Sequence, residues 1–322
     1  MAGYTLPDGV TLKNKLAATS HEMLERGESA RVQRRSTEIL LGKKKIDVGD
    51  PSVLKHLHHH LFQDVFEWSG HTRDEPVRLS DGSIAHEPVM RKIDGKSFST
   101  GNQIAHELQA FNTALTSSNN LTGLSRADFA KEASALFGLL NSIHPFREGN
   151  GRVQRLFFQL LAKEAGHPLN FAGVTKERMT LASISSHEKG DNSMFERLFL
   201  EISDQSRGLL LEDGLMRLIQ AYDKHGTRFD PNEIYMTTFT PGETKTVQFV
   251  GVSGNQFAAR TQNQIFFGLA VNLPKPIPKP GQKFTFHEPS LGDGDSDDTP
   301  NGSSGRGKIT PHKPSGRGGY GD

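Results

Sequence analysis

Two segments in the middle of the chain carry apolar residues at helical spacing. In the first segment these residues are Phe129, Ala133, Leu136, Phe137 and Leu140. In the second segment they are Val153, Leu156, Phe157, Leu160 and Leu161. Side chains three and four residues apart lie on one face of a helix, so both segments predict amphipathic helices that pack into one core. Gly166 and Pro168 predict the end of the second helix.

The hydrophobic pattern changes near residue 229, where short alternating runs replace the helical spacing. Four runs bounded by turn residues predict strands at 246–250, 256–260, 264–267 and 283–287. We interpret residues 229–289 as a small all-β, OB-like domain, joined to the helical part by a connecting helix at 206–228. Its aromatic residues Phe249, Phe257 and Phe267 are expected in the core, with stacking on nucleic-acid bases as the alternative.

The composition narrows the classes of protein that this chain represents. Its 322 residues suit one large domain or two modest ones, and no run of about 18 apolar residues predicts a membrane span. Without cysteine, the chain has no disulfide, no thiolate metal site and no cysteine nucleophile. The net charge of +1 argues against a general polyanion binder, so neither nucleic acid nor a membrane is an expected partner. The glycine-rich segment 290–322 predicts a disordered low-complexity tail.

The loop between the two predicted helices, residues 144–151, concentrates residue types that act on phosphates. A proline and two glycines interrupt the helical pattern, so the loop turns into the N-terminus of the second helix. The run Gly-Asn-Gly at 149–151 lets successive backbone N–H groups converge on one anion, and the helix dipole adds to this attraction. Arg152 and Arg155 lie three residues apart in the first turn, where two guanidinium groups would hold a polyphosphate.

Three more side chains make this loop a candidate catalytic site. Glu148 places a carboxylate beside the predicted phosphates, which is favourable when a cation such as Mg²⁺ lies between them. His144 opens the loop, and a histidine is the usual general base near neutral pH. Phe146 is expected to pin the loop to the core. The loop therefore predicts a nucleotide–Mg²⁺ site with a base close to the α- or γ-phosphate.

Residues 144–155, HPFREGNGRVQR, match every fixed position of the motif HPFx(D/E)GNGRxxR, and the chain is thereby similar to the Fic (filamentation induced by cAMP) family. Residues 54–70 resemble the family helix that ends in a DvyeWAG segment, with Ser69 where alanine is common. The resemblance implies a mainly α-helical Fic fold for residues 1–205, with a β-hairpin "flap" at about 73–98. The long flap and the strand-rich region also resemble the Fic effectors that Bartonella species inject through type IV secretion, and related Fic toxins.

The resemblance implies a role for each residue of the motif. Fic proteins mostly transfer AMP from ATP to a hydroxyl group of a target protein, so the chain is expected to be a protein adenylyltransferase. His144 would deprotonate a serine, threonine or tyrosine of the target, and Glu148 would hold Mg²⁺ between the α- and β-phosphates. The nucleotide would be bound by Asn150 and the N–H groups of Gly149 and Gly151 at phosphate oxygens, Arg152 at the β-phosphate, Arg155 at the γ-phosphate, and Lys92 and Ile93 in the flap.

The resemblance also implies partners and a location. A target protein would dock on the flap by strand addition. Charged flap residues such as Arg73 predict either a surface that recognises a charged partner or an ordinary solvated hairpin. The chain is expected in the bacterial cytoplasm where it is made. An effector would then be secreted into a host cell to modify a small GTPase, whereas a toxin would modify a bacterial topoisomerase.

Two questions about the activity stay open at this point. In many Fic proteins, the glutamate of an inhibitory (S/T)xxxE(G/N) helix pairs with the arginine that corresponds to Arg155. No such motif occurs here, since glutamate precedes glycine or asparagine only at Glu148. We therefore expect an unrestrained enzyme or one held by a separate small antitoxin-type protein. The other open readings are a Fic-fold enzyme with different nucleotide chemistry, such as phosphotransfer, and a binding module.

Overall fold

Helices occupy most of the chain up to residue 224 in the computed structural model, which describes residues 3–91, 97–224 and 230–290. The predicted tail lies outside these residues from position 291 onward. The helices are α1 (His21–Leu40), α2 (Val53–Phe62), α3 (Asn102–Ser117), α4 (Arg126–Ile143), α5 (Asn150–Glu164), α6 (Lys176–Lys189), α7 (Ser193–Ile202) and α8 (Gln205–Lys224). Short 3₁₀ turns lie at Asn119–Leu121, Pro231–Glu233 and Ala270–Asn272. No helix among the described residues has both the length and the apolar character of a membrane span.

The helix starts are set by local sequence. Ser20, Ser125 and Thr175 precede α1, α4 and α6, and each side-chain oxygen accepts a hydrogen bond from the backbone N–H three residues later. Such caps satisfy N–H groups that have no partner within the first turn of a helix.

The central helix is α4, which contacts α3, α5, α6 and α7. The ring of Phe137 lies 4.7 Å from Phe195 and 5.3 Å from Phe199 of α7, and 5.0 Å from Phe158 of α5. The two helices that the apolar spacing predicts are therefore confirmed as α4 and α5. Of their predicted core residues, Leu160 is only partly buried.

A short hairpin lies between α2 and α3, where the flap is predicted. Its antiparallel strands are β1 (Val77–Arg78) and β2 (Ile84–Ala85). The turn between them contains Gly82 at φ +82°, a left-handed conformation that favours glycine. The chain then continues to Arg91, which forms an isolated antiparallel bridge with Ser97.

The strand-rich region is a five-stranded sheet. Its strands are β3 (Tyr235–Thr238), β4 (Thr244–Ser253), β5 (Gln256–Arg260), β6 (Gln264–Leu269) and β7 (Lys283–His287). Their spatial order is β3-β6-β5-β4-β7, with β3 parallel to β6 and the other pairs antiparallel. The four predicted strands are confirmed as β4 to β7, whereas the pattern does not predict β3.

The sheet curls so that its two edge strands approach each other. Phe239 directly follows the edge strand β3, and its ring lies 4.5 Å from that of Phe286 in the other edge strand, β7. Within the described residues β3 and β7 do not pair as strands, so the barrel is incompletely closed. It encloses its own apolar cluster, Phe239, Val247, Phe249, Phe257, Ala259, Phe266, Leu273 and Phe286.

The helical part and the sheet share a buried interface. Met236 and Phe267 belong to the same buried cluster as the helices, whereas Phe249 and Phe257 belong to the cluster inside the barrel. The core placement expected for the three strand aromatics is therefore confirmed. The backbone of α8 passes so close to β6 that a Cβ at Gly214 would lie 2.6 Å from the Phe267 ring.

A buried ion pair ties β3 to the helices. Arg178 of α6 and Glu201 of α7 form this pair with side chains 2% and 1% exposed. Glu201 also accepts hydrogen bonds from the backbone N–H and the hydroxyl of Thr238, and Arg178 donates to the Met236 carbonyl at 3.1 Å. The polar groups of β3 therefore add hydrogen bonds to a buried charge pair, in which Arg178 Nε has no partner among the described residues.

Candidate active site

The loop between α4 and α5 places the predicted catalytic histidine just before a helix N-terminus. His144 ends α4 with φ +49° and ψ +60°, a left-handed conformation that turns the chain out of the helix. Phe146 is 1% exposed, so its expected anchoring in the core is confirmed. The Asn150 side chain closes the loop, since its Oδ1 accepts from the Phe146 N–H at 2.9 Å and its Nδ2 donates to the Phe146 carbonyl at 2.7 Å. Binding of a phosphate oxygen by Asn150 stays a prediction.

The start of α5 offers free backbone donors. Among the described residues, the N–H groups of Asn150 and Gly151 donate to no protein acceptor, as is usual in the first turn of a helix. Glycine is required at 149, where φ is +84° and a Cβ would lie 2.3 Å from Phe62. No such demand exists at Gly151, which is exposed and whose Cβ would meet Arg155 at an ordinary 3.5 Å. Its small size leaves the outer face of the turn open to a ligand.

Arg152 is engaged by two carboxylates. Its Nη2 contacts Glu28 of α1 and lies 3.1 Å from Oε1 of Glu148, and its guanidinium stacks 4.8 Å from the Phe62 ring. Burial raises the pKa of Glu28, while the charge of Arg152 opposes that shift. The motif does not predict Glu28. Its position in line with the buried residues Leu24 and Val32 on one face of α1 is the sequence signal that would find it.

Arg155 has no such partner within the described ranges. It is partly buried, and among the described residues it makes no ion pair and no hydrogen bond. Burial lowers the pKa of Arg155, and the neighbouring Arg152 charge lowers it further. An arginine side chain that is partly desolvated beside a second arginine gains most from an anion, because a phosphate would supply both charge and acceptors.

A buried histidine supports the loop from below. The Nδ1 of His58 accepts from the Gly70 N–H at 2.8 Å, so its Nε2 carries the proton and donates to the Glu148 carbonyl at 3.1 Å. Its ring stacks on Phe146 at 4.0 Å and on Phe62 at 4.8 Å. Burial lowers the pKa of His58 to about 3, so the imidazole is neutral in the folded protein. The motif does not predict this role, although His58 lies in line with Leu54 and Phe62 on α2.

The imidazole of His144 is held against an aromatic ring. Phe98 stacks on it at 4.0 Å between ring centroids with the planes 11° apart. The Phe98 ring also lies 4.8 Å from the ring of His187, whose Nδ1 is 3.3 Å from the Ser142 hydroxyl. This stack restricts the orientation of His144, which a general base requires.

Several charged side chains of the flap form contacts with other residues of the same chain. Arg73 is 0% exposed, so its predicted place in a charged docking surface is wrong. Asp81 pairs with Lys13 at 2.7 Å, and Glu87 pairs with Arg147 of the α4–α5 loop at 2.6 Å. The second pair joins the flap to the residue between Phe146 and Glu148 in the motif.

Mg²⁺ at Glu148 and the flap residues Lys92 and Ile93 stay predictions. Lys92 and Ile93 lie outside the described residues. No group of three or more acidic or histidine side chains within the described ranges could hold a metal ion. The Glu148 side chain is 42% exposed, and its Oε1 accepts from Gly149 while its Oε2 has no protein partner in the part of the chain described. One free carboxylate oxygen fits Mg²⁺, which binds one or two carboxylates together with phosphate oxygens and water.

Comparison with known proteins agrees with the fold and with the motif. Residues 49–162 match the sequence profile of the Fic/DOC family. A protein adenylyltransferase of Bartonella henselae is 37% identical over 293 residues, which are 89% of this chain and 52% of that protein. The chain thus spans about half the length of this relative.

Solved structures extend the similarity to the whole architecture. The type IV secretion system effector protein BepA superimposes with a TM-score of 0.79 at 36% identity, covering 89% of this chain and 96% of the other. BepC of Bartonella tribocorum, solved with AMPPNP, superimposes with a TM-score of 0.59 at 35% identity, covering 62% of this chain and 95% of its own. The chain belongs to the Fic family. Its predicted mainly helical Fic fold, followed by a strand-rich region, is confirmed.

Proposed function

We propose that this protein is a protein adenylyltransferase, which transfers AMP from ATP to a hydroxyl group of a target protein. The observation that carries the proposal is the partly buried Arg155, which has no anionic partner among the described residues and lies beside the free N–H groups at the start of α5. A nucleotide phosphate fits this combination of charge and backbone donors. The name of the Bartonella henselae relative and the AMPPNP bound to BepC support ATP as the nucleotide.

The proposed reaction uses the loop residues in distinct roles. His144 accepts the proton of a serine, threonine or tyrosine hydroxyl, whose oxygen bonds to the α-phosphorus. The bond from the α-phosphorus to the bridging oxygen breaks, and pyrophosphate leaves. Arg155 and the N–H groups at the start of α5 stabilise the negative charge on the phosphates. Glu148 would hold Mg²⁺ against the phosphate oxygens, where the ion would neutralise charge.

Transfer of AMP, rather than of phosphate, is supported by the relatives and by the intact motif. A cluster of backbone N–H donors with a nearby base would support attack of a hydroxyl group at either the α- or the γ-phosphorus of ATP. Two relatives that are 37% and 36% identical to this chain are named protein adenylyltransferases, and a third at 28% identity is named a probable one. The label position in ATP tests this choice, because AMP transfer keeps the α-phosphorus on the target and phosphotransfer keeps the γ-phosphorus.

The proposed setting is that of a secreted effector. The similarity to BepA, which is named a type IV secretion system effector, covers both the helical part and the sheet. A host small GTPase, docked on the flap, is the proposed target. Arg155 is also where a carboxylate of a separate antitoxin-type inhibitor would bind, in competition with ATP.

The experiment compares ATP labelled with ³²P at the α- or the γ-position, with Mg²⁺, in mammalian and bacterial lysates. The full-length protein is expected to label a mammalian protein from α-labelled ATP only, and His144→Ala is expected to label nothing. A band from γ-label alone would replace AMP transfer by phosphotransfer. A band confined to the bacterial lysate would favour the toxin reading, and labelling by His144→Ala would remove the general-base role.

A further inference from the structure

Arg73 is a buried cation whose guanidinium has no carboxylate hydrogen-bond partner in the part of the chain that the structure describes. Its side chain is 0% exposed, and each hydrogen-bond acceptor that its guanidinium finds among the described residues is a backbone carbonyl. Burial lowers the pKa of Arg73, while the charges of Asp74 and Glu87 nearby oppose the shift. An arginine remains charged under such conditions. Burying a charge costs free energy, so a fold that keeps a buried arginine depends on the hydrogen bonds that its guanidinium makes.

The first group that Arg73 holds is the backbone of the catalytic loop. Its Nε donates to the His144 carbonyl at 2.9 Å, and its own backbone N–H donates to the Pro145 carbonyl at 2.8 Å. His144 is left-handed at φ +49°, a conformation that costs a non-glycine residue free energy unless its surroundings hold it. The last carbonyls of a helix also need donors from outside the helix. Arg73 supplies such a donor to the carbonyl of His144, the residue that ends α4.

The second group consists of both ends of the flap segment that follows β2. One Nη donates to the carbonyls of Pro88 at 2.9 Å and Glu87 at 3.3 Å, and the other Nη donates to the Ser99 carbonyl. The chain enters this segment at Pro88 and leaves it at Ser99. Phe98, one residue before Ser99, stacks on the imidazole of His144.

We propose that Arg73 is a positioning residue for AMP transfer. Its planar guanidinium holds the His144 carbonyl and both ends of the flap segment, at Pro88 and Ser99, in fixed positions relative to one another. This inference rests on the proposed function. The base that activates the hydroxyl and the segment on which the target docks are then fixed to the same rigid group. A misplacement of about 1 Å between reacting groups can lower the rate about a hundredfold. We therefore expect substitution of Arg73 to lower kcat rather than the affinity for ATP.

Two substitutions separate these contacts. Arg73→Gln places an amide nitrogen where Nε lies. This variant keeps the donor to the His144 carbonyl and removes the donors to the two ends of the flap segment. Arg73→Lys keeps the charge but has a single ammonium group, which cannot reproduce the arginine fork. The matched control is Arg197→Lys, because Arg197 is exposed on α7, outside the flap and the motif, and makes no hydrogen bond or ion pair through its side chain among the described residues.

The experiment measures AMP transfer, AMPPNP affinity and the thermal midpoint for the wild type and the three variants. Arg73→Gln and Arg73→Lys are expected to lower kcat about tenfold to a hundredfold with AMPPNP affinity within about threefold of the wild type. Arg197→Lys is expected to match the wild type. Because Arg73→Gln leaves no unpaired buried charge, it provides the folded comparison if Arg73→Lys does not fold.

The outcomes distinguish this inference from the function on which it rests. If the wild type transfers AMP and Arg73→Gln transfers it equally fast, Arg73 is not a positioning residue. If transfer and AMPPNP affinity fall in parallel with the thermal midpoint, Arg73 has only a structural role. If the wild type itself transfers no label, the proposed function fails and this inference fails with it.

Discussion

The protonation of His58 gives a quantitative test of how the loop is supported. The pKa of its imidazole is about 3 in the folded protein and 6.5 when unfolded. Above pH 6.5 both states are neutral, so His58 adds no pH dependence there. Below it the unfolded state binds a proton that the folded state does not bind until about pH 3, and the free energy of unfolding therefore falls as the pH falls. Between about pH 7.5 and about pH 5 this loss amounts to about 2 kcal/mol.

The assay is chemical denaturation of the wild type and His58→Gln at about pH 7.5 and about pH 5. Carboxylates and other histidines contribute to both proteins, so the informative quantity is the difference between the two pH-induced losses. The wild type is expected to lose about 2 kcal/mol more than the variant. His58→Asn repeats the test, because its side-chain oxygen can still accept from the Gly70 N–H.

The control for this measurement is Phe62→Leu. It removes packing beside His58 and lowers stability at both pH values, but it removes no titratable group. Its loss between the two pH values should therefore equal that of the wild type. If His58→Gln loses as much stability on acidification as the wild type does, His58 is not the neutral buried group that the geometry indicates.

Three further predictions concern the core, the sheet interface and the base. Glu201→Ala should lower the free energy of unfolding by about 3–5 kcal/mol, because it leaves Arg178 buried without its counter-charge; a loss below about 1 kcal/mol in denaturation would contradict this. Gly214→Ala should cost about 1–3 kcal/mol, since its Cβ would lie 2.6 Å from a β6 ring; an unchanged thermal midpoint would show that the contact is loose. Phe98→Ala should lower kcat with little change in the KM for ATP, because the ring orients His144; a rise in KM alone would argue against that role.

The sequence predicts those parts of the protein whose signals are local. The apolar spacing that defines α4 and α5 and the alternation that defines β4 to β7 each lie within one segment. β3 escapes prediction because it has four residues and pairs in parallel with β6, a contact that no neighbouring residue indicates. The residues of the 144–155 motif are likewise brought together by one loop and one helix turn.

The contacts that support the site join segments that are far apart in the sequence. The pattern of charges also leads to a wrong prediction for Arg73. Arg73 follows an aromatic segment and precedes a charged hairpin, so it reads as a surface residue. In the structure its guanidinium joins segments that are far apart along the chain, which no spacing rule reveals. Glu28 and His58 could be noticed as polar residues on buried helix faces, but their partners, Arg152 and the Glu148 carbonyl, follow only from the fold.

The most direct test of the account is the affinity of the protein for AMPPNP with Mg²⁺, measured by calorimetric titration. Arg155→Ala is expected to weaken binding about tenfold to a hundredfold, because it removes a charged donor that has no anionic partner among the residues the structure describes. Arg147→Ala, which removes an arginine of the same loop that already pairs with Glu87, is expected to change affinity less than about threefold. His144→Ala should bind as the wild type does. Equal binding by Arg155→Ala and the wild type, or no binding by the wild type, would contradict the assignment of this loop as the nucleotide site.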